Sequence, residues 1–280
     1  MDLTTGVVDD VLAEEAKAEI DDLNLDAAHD EAAPTEDLIS ESEACGPVTA
    51  DDSTEGPVGA EAANIMRVGT IAGADLIFAR GGSTEPRTFP VDAAFKDVLE
   101  RTVRLVVDRA PEEFGQLKRL ATAGMMVDKP GMHGMGRACD WDVWAFSDVK
   151  ISPLSRDHED PSKAVRRRYW ALAALCRSVS SFILHAEFNA DHEDHIHQDD
   201  GGSVAFNAGS RSTVKLVQSV CNEIFDRSPR LVVDGTFGSK TQQAIEAALD
   251  TVHLEGSLTD TGTWRQFLRR SGRLGFRLSV

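Results

Sequence analysis

The stretch GMHGMGRACD at residues 131–140, together with DHEDHIH at residues 191–197, decides the fold and the site that we expect. The first stretch places His133 and Asp140 seven positions apart, and the second contains three of the chain's eight histidines. Imidazole and carboxylate are ligands that zinc accepts in a catalytic site with one open position. A carboxylate beside such ligands can accept a proton from water. The two stretches together predict a zinc hydrolase.

Each stretch also has a simpler interpretation. A glycine-rich segment with one histidine is usually a solvated loop, and a histidine cluster can be a surface that binds metal adventitiously. The two stretches occur in order, about 55 residues apart, and each supplies ligand types that complete the other. The pair therefore favours one shared metal site.

The two stretches resemble the motifs of a known family. The pattern His-x-x-Gly-x-Ala-x-Asp is matched by His133, Gly136, Ala138 and Asp140. It resembles the first motif of the LAS zinc peptidases, the group that contains the D-Ala-D-Ala carboxypeptidases. Residues 192–197, preceded by Asn189, resemble the second motif as it stands in the extensin-like branch. One position departs from the family, which usually has Ser two residues before the first ligand, where this chain has Gly131.

The resemblance implies a metal site and a base. His133, Asp140 and His197 would hold Zn²⁺ and leave a fourth position open. Asp194, three residues before His197, corresponds to the family's general base.

The resemblance also implies accessory groups. His192 and His195 match histidines that could donate hydrogen bonds to a developing oxyanion or to a substrate carboxylate. An upstream arginine of the family stabilises the oxyanion or the substrate, and Arg119, fourteen residues before His133, is the best-placed match. The alternative for Arg119 is an ordinary solvated surface residue. Arg137 could orient Asp140, or lie exposed on its strand.

The hydrophobic pattern predicts an α+β domain over residues 63–208, with a small antiparallel sheet and flanking helices. Strands, or a strand pair, are expected at residues 68–78, 116–120, 137–146 and 194–199, and helices at residues 91–107 and 160–184. Period two in the third of these strands places Ala138, Asp140, Asp142 and Trp144 on one face and Cys139 on the other. His195 and His197 share a face, so Asp194 must lie at the entry of the last strand.

Residues 211–280 form a second unit. The pattern Asp-Gly-x-Phe-Gly-x-x-Thr-x-x-Ala is matched by Asp234, Gly235, Phe237, Gly238, Thr241 and Ala244. It resembles the helical peptidoglycan-binding domain, and implies a small three-helix wall-binding module in which Gln218 belongs to the first helix. Ser239 is expected to cap the next helix. A generic helical appendage is the alternative.

The acidity of the chain is concentrated in its first residues. Residues 1–60 contain 18 acidic residues and one basic residue, whereas the other 220 residues hold 29 acids and 28 bases. We expect residues 1–62 to be a disordered acidic leader, with one short amphipathic helix near residues 7–16. Residues 1–60 would bind a secretion or particle-loading partner, or only improve solubility. The near-neutral remainder excludes a basic surface for nucleic acid.

The sequence shows neither a signal peptide nor an apolar stretch that could span a bilayer. We expect synthesis in the cytoplasm and action at the bacterial cell wall after lysis, within a virion or contractile particle, or through dedicated secretion. Four scattered cysteines, at positions 45, 139, 176 and 221, are expected to be reduced and mostly buried. We expect the remaining histidines, at positions 29, 158, 185 and 253, to be ordinary core or surface residues.

These observations predict a zinc-dependent peptidoglycan peptidase anchored by a wall-binding module, such as a phage lysin or an injected effector. Tethering to the polymer would raise the local substrate concentration. Whether it is a carboxypeptidase or an endopeptidase, and which stem-peptide bond it cleaves, stay open. The alternative is a catalytically silent wall-binding or virion structural protein that keeps the fold.

Overall fold

The structure is a computed structural model that describes residues 64–280. The expectations for residues 1–62, including the short helix, the binding of a partner and the environments of His29 and Cys45, lie outside the described residues.

Residues 64–280 contain nine strands in two sheets. The strands are β1 (Ile65–Val68), β2 (Thr70–Ile71), β3 (Ala74–Ile77), β4 (Phe89–Asp92), β5 (Leu117–Gly124), β6 (Ala138–Phe146), β7 (Lys150–Ile151), β8 (Phe182–Leu184) and β9 (Ile196–Asp199). β1 and β4 form an antiparallel ribbon, and the main sheet has the order β2-β3-β5-β6-β9-β8 with β7 added beside β6. Residues 68–78 therefore form strands around a tight turn, as expected.

Five α-helices surround these sheets within the described residues. They are α1 (Ala93–Arg109), α2 (Lys163–Val179), α3 (Arg211–Glu223), α4 (Ser239–Thr251) and α5 (Thr261–Arg277). The α+β class is confirmed. The main sheet is mixed rather than wholly antiparallel, because β3 and β5 pair in parallel. The chain between them contains α1, and parallel neighbours require a crossover of this kind.

Several helix ends differ from the expected ones for local reasons. The helix expected at residues 160–184 ends at Val179, and Phe182–Leu184 instead pairs with β9 as a strand. Asp92 caps α1 by accepting hydrogen bonds from the backbone N–H groups of Ala94 and Phe95. The expected cap at Ser239 is wrong: Ser239 is the first helical residue of α4, and the N-cap is Gly238.

The alternation predicted along β6 is broken in its middle. The register with β5 shifts between Ala121 and Thr122, which face Val143 and Trp141, so β6 carries one extra residue there. Trp141 and Trp144, three positions apart, both lie in the core, with their ring centroids 5.2 Å apart. Asp142 therefore does not share a face with Trp144, and it faces a polar partner instead.

A single hydrophobic core extends from the sheet into the last three helices. α2 is buried along most of its length, and α5 packs along it. Arg177 of α2 is buried and donates hydrogen bonds to the backbone oxygens of Ser203, Val204 and Ala205, while its guanidinium lies over the ring of Trp264 on α5. The boundary expected at residues 208–211 stays a prediction, although the helices on either side of it share this core.

Candidate metal centre

The pairing of β6 with β9 brings the two sequence stretches together. Asp140 on β6 lies directly opposite His197 on β9 in the antiparallel register. His133 belongs to the loop between β5 and β6, and its side chain is buried. The three expected ligands therefore come from a loop and two adjacent strands, as the sequence predicted.

The ligand atoms of these residues converge on one point. Nε2 of His133 lies 3.1 Å from Oδ1 of Asp140 and 3.2 Å from Nδ1 of His197, and that Nδ1 lies 2.9 Å from Oδ1 of Asp140. Zinc bonds of about 2.0–2.1 Å in a tetrahedron place neighbouring ligand atoms about 3.3 Å apart. The observed spacing is close to this value, and the triad could hold a metal ion.

The outer partners of the two imidazoles fix their tautomers. Nδ1 of His133 lies 2.9 Å from the backbone oxygen of Met125, and Nε2 of His197 lies 2.9 Å from Oδ2 of Asp199. Both partners are acceptors, so a neutral ring carries its proton on the outer nitrogen and directs its lone pair inwards. With both rings neutral, two lone pairs and a carboxylate would face each other, and they would repel unless a cation lay between them. This arrangement fits a metal site.

The pKa values of the triad residues also indicate that a positive charge stabilises this cluster. Burial by itself would raise the pKa of Asp140, but hydrogen bonds from His133 and His197 hold that pKa well below its usual range. Burial would lower the pKa of His197, yet hydrogen bonds with Asp140 and Asp199 raise it to about 9. A proton on His197 thus balances two carboxylates in the metal-free protein, and a bound cation would replace it.

Glycines allow the loop that presents His133 to fold tightly. A Cβ on Gly134 would lie 2.0 Å from the backbone oxygen of Lys129. Gly131, where the family usually has Ser, has a φ of 87°, a left-handed conformation that favours glycine. This departure from the family therefore has a backbone reason. A separate cavity, lined by Pro90 and by residues 126–129 and 134, does not include the triad.

Asp194 and His195 lie beside the triad. Asp194 is in the turn just before β9, as the parity argument required. Its Oδ1 lies 2.8 Å from Nδ1 of His195, and Nε2 of that histidine lies 3.7 Å from Oδ1 of Asp140. Asp194 and His195 therefore form a pair whose imidazole lies next to Asp140 of the triad.

The arginine beside Asp194 is Arg80, which the sequence analysis missed. Its guanidinium binds both oxygens of Asp194, at 2.9 and 3.0 Å, and donates three hydrogen bonds to the buried Asp142. Burial would raise the pKa of Asp194, but the bonds from Arg80 and His195 hold it below its usual value. Arg119, the expected residue, lies exposed on β5 opposite Asp75. Within residues 64–280 no hydrogen bond or ion pair links Arg119 to the triad.

His192 is held near the triad in one orientation. Its ring centroid lies 5.0 Å from that of His195 and 6.1 Å from that of His197. Nδ1 of His192 lies 2.5 Å from Oδ1 of Asn189. Burial, and then the charges of His195 and His197, lower the pKa of His192 to about 3. The ring is therefore neutral near pH 7, with its proton on Nδ1 and a lone pair on Nε2.

The remaining residues considered in the sequence analysis lie away from the ligands. Arg137 does not bind Asp140 but pairs with Asp200, two N–H groups lying 3.0 and 2.9 Å from its oxygens. Cys139 is buried and faces Thr122, on the other side of the strand from the triad. Cys176 and Cys221 are also buried and free, as expected.

The three other histidines of the described region do not lie in the site. His185 is fully buried, and the side chain of His158 is nearly so. His253 is exposed. Both environments agree with the expectation of ordinary core or surface residues.

In the C-terminal helices, residues of the second motif hold a turn. Nε2 of Gln218 lies 3.0 Å from Oδ1 of Asp234 and 3.2 Å from Oγ1 of Thr241, and Oε1 of Gln218 accepts from the backbone N–H of Gly235. Asp234 also accepts from the N–H of Thr236. These polar residues therefore have a role in fixing the start of α4.

Comparisons of the chain with protein-family models, with curated proteins and with solved structures found no match. The resemblance to the LAS peptidases therefore depends on the sequence motifs alone. In the part of the chain that the structure describes, no helix combines the length and the apolar character that crossing a membrane requires.

Proposed function

We propose that the protein is a zinc-dependent peptidase that acts at the bacterial cell wall and hydrolyses amide bonds of peptidoglycan stem peptides. The observation that carries this proposal is the convergence of one ligand atom each from His133, Asp140 and His197 beside the Asp194–His195 pair.

The ligand set favours zinc among the metals. Two imidazole nitrogens and one carboxylate oxygen, with room for a fourth ligand, are typical of catalytic zinc sites. Bound zinc would lower the pKa of water towards neutrality and polarise the scissile carbonyl. The chain's own contribution is to keep His133 and His197 in the tautomers that leave their lone pairs free.

Asp194 and His195 would move the proton. His195 is oriented through its Nδ1 by Asp194 and presents Nε2 towards Asp140. Arg80 binds both oxygens of Asp194, which makes this carboxylate a weaker base. We therefore assign proton acceptance, and later donation to the leaving amine, to the pair, with His195 nearer to the ligands.

We assign to Arg80, instead of Arg119, the stabilisation of the oxyanion or the substrate. Its bonds to Asp142 and Asp194 occupy four of its five N–H groups, and one N–H of Nη1 stays available. That donor is suited to a neutral carbonyl oxygen or to charge that develops on it.

For residues 211–280 we propose a wall-binding module. The motif Asp-Gly-x-Phe-Gly is the support, together with the fixed turn that Gln218 and Asp234 form. The intact triad and the Asp194–His195 pair favour an enzyme over a catalytically silent wall-binding or virion protein.

Metal analysis and digestion of purified muropeptides test the proposal. Wild type should contain about one zinc per chain, and His133→Ala, Asp140→Ala and His197→Ala should lose both the metal and the hydrolysis. His253→Ala, an exposed histidine, is the matched control and should keep both. Full zinc occupancy in all three ligand variants would contradict the assignment, and a zinc-loaded wild type that cleaves no muropeptide would favour the silent alternative.

A further inference from the structure

The surroundings of the triad carry an excess of negative charge. The groups connected to the ligands are the carboxylates of Asp140, Asp142, Asp194 and Asp199, and the guanidinium of Arg80. Four carboxylates and one guanidinium leave a net charge of −3, which a divalent cation reduces to −1. Two further arginines lie near these carboxylates, and each is paired with another acid: Arg137 with Asp200 and Arg156 with Glu193. A bound metal therefore does not make this site positive.

The arginines of the site have carboxylate partners inside the protein. Arg80 shares its charge between Asp142, whose side chain is fully buried, and Asp194. Recognition of a carboxylate at the end of a peptide normally uses an arginine or lysine whose charge is available for a bidentate pair. The edge of the Arg80 guanidinium that could form such a bidentate pair, Nη1 with Nη2, already binds both oxygens of Asp194. Arg80 would have to release Asp194 to bind a terminal carboxylate, and the two carboxylates would then share one cation.

The side chain next to the ligands is also an acceptor. His192 is 7% exposed, and the amide oxygen of Asn189 fixes its proton on Nδ1. Its Nε2 consequently offers a lone pair, which can receive a hydrogen bond from N–H but cannot donate one to a carboxylate. This differs from the donor role that we expected from the sequence.

We propose, on the basis of the peptidase function proposed above, that the centre cleaves inside peptide chains whose leaving side carries an amine or amide N–H and no free carboxylate. The enzyme is then an endopeptidase, and the natural bonds are those in cross-links rather than terminal residues. Water adds across the amide: the C–N bond breaks, the oxygen joins the acyl carbon, and a proton goes to the leaving nitrogen. His192 and Asp194, the acceptors around the triad, would accept hydrogen bonds from the N–H groups of the bound substrate peptide.

Two substrates from the same wall material test this inference. A muropeptide dimer cross-linked through a lysine side-chain amine presents an internal amide whose leaving amine has no adjacent carboxylate, and a monomer with a full-length stem presents a terminal residue with a free carboxylate. Mass spectrometry follows the conversion of dimer to monomer and the loss of one residue from the monomer. We expect kcat/KM for the dimer to be at least about tenfold higher, and this preference to shrink with added salt because charge is screened.

A charge variant separates electrostatics from shape. Asp142→Asn keeps the size of the side chain and one oxygen that can accept from Nε and Nη2 of Arg80, but removes one negative charge. We expect the ratio of terminal to internal cleavage to rise about tenfold. Asp148→Asn, an exposed residue beyond the end of β6, is the matched control and should leave the ratio unchanged. Zinc content, measured for each variant, shows that the centre is intact.

The outcomes distinguish the two proposals. Loss of terminal residues as fast as dimer cleavage, or an unchanged ratio in Asp142→Asn with full zinc content, would overturn the endopeptidase inference while the peptidase function stood. No cleavage of either substrate by the zinc-loaded protein would overturn the peptidase function, and the inference with it.

Discussion

Acidification should destabilise the protein through His185, and His185→Gln should remove this part of the pH dependence. His185 is fully buried, its ring packs against Trp170 with centroids 5.2 Å apart, and its Nε2 lies 3.1 Å from the backbone oxygen of Ser212. Nδ1 of His185 has no hydrogen-bond partner. Burial is the main cause that lowers the pKa of His185 to about 4, so folding requires the neutral ring.

The sign and the size of the effect follow from this pKa. The pKa in the unfolded chain is 6.5, above the folded value, so the unfolded state binds more protons as the pH falls. The stability that the neutral ring of His185 contributes is fully present above pH 6.5 and is lost as the pH falls from 6.5 to 4. A difference of about 2.5 units corresponds to about 3.4 kcal/mol in all, of which about 2 kcal/mol is lost by pH 5.

Urea unfolding of the metal-free protein, with a chelator present, measures this loss at pH 7.5 and pH 5. The free energy of unfolding of wild type should fall by about 2 kcal/mol more than that of His185→Gln. The glutamine can still donate to Ser212 but does not titrate. His253→Gln, at an exposed site, should follow wild type. Equal losses in wild type and His185→Gln would refute the reasoning.

Three further predictions concern the site and the fold. Asp194→Asn should keep zinc, but its rate of hydrolysis should fall by about 100-fold or more. An unchanged rate would show that His195 alone accepts the proton, and loss of zinc would show that Asp194 is a ligand. Arg80→Gln should reduce kcat/KM by about 100-fold while Arg119→Gln does not, and the reverse order would restore our first assignment. A chain that ends at residue 208 should fail to unfold cooperatively in urea, because it exposes the face of α2 that α5 covers; a cooperative transition like that of residues 64–280 would show that the two units fold separately.

The three residues that could hold a metal ion could be predicted from the sequence because ligand chemistry is local. His133 and Asp140 lie seven positions apart, and His195 and His197 lie two positions apart where β9 begins, so residue type and spacing were sufficient. The position of Asp194 at the strand's entry followed from parity. The α+β class followed from the hydrophobic periods, which are also local.

Other features depended on contacts between distant parts of the chain. Arg80 lies 62 positions from Asp142 and 114 from Asp194, and no spacing rule connects an arginine after β3 with those carboxylates. The extra residue in β6 appears only through its register with β5, and it moves Trp144 into the core. The tautomer of His192 depends on how the turn places Asn189.

The sequence by itself therefore determined the α+β class and was sufficient to propose the metal ligands, since both depend on residue identity and short periods. The tertiary structure decided the charge of the site, the partner of Asp194 and the packing of α5 on α2. Charge at a site is a sum over groups that folding brings together. The identity of those groups cannot be read from their order along the chain.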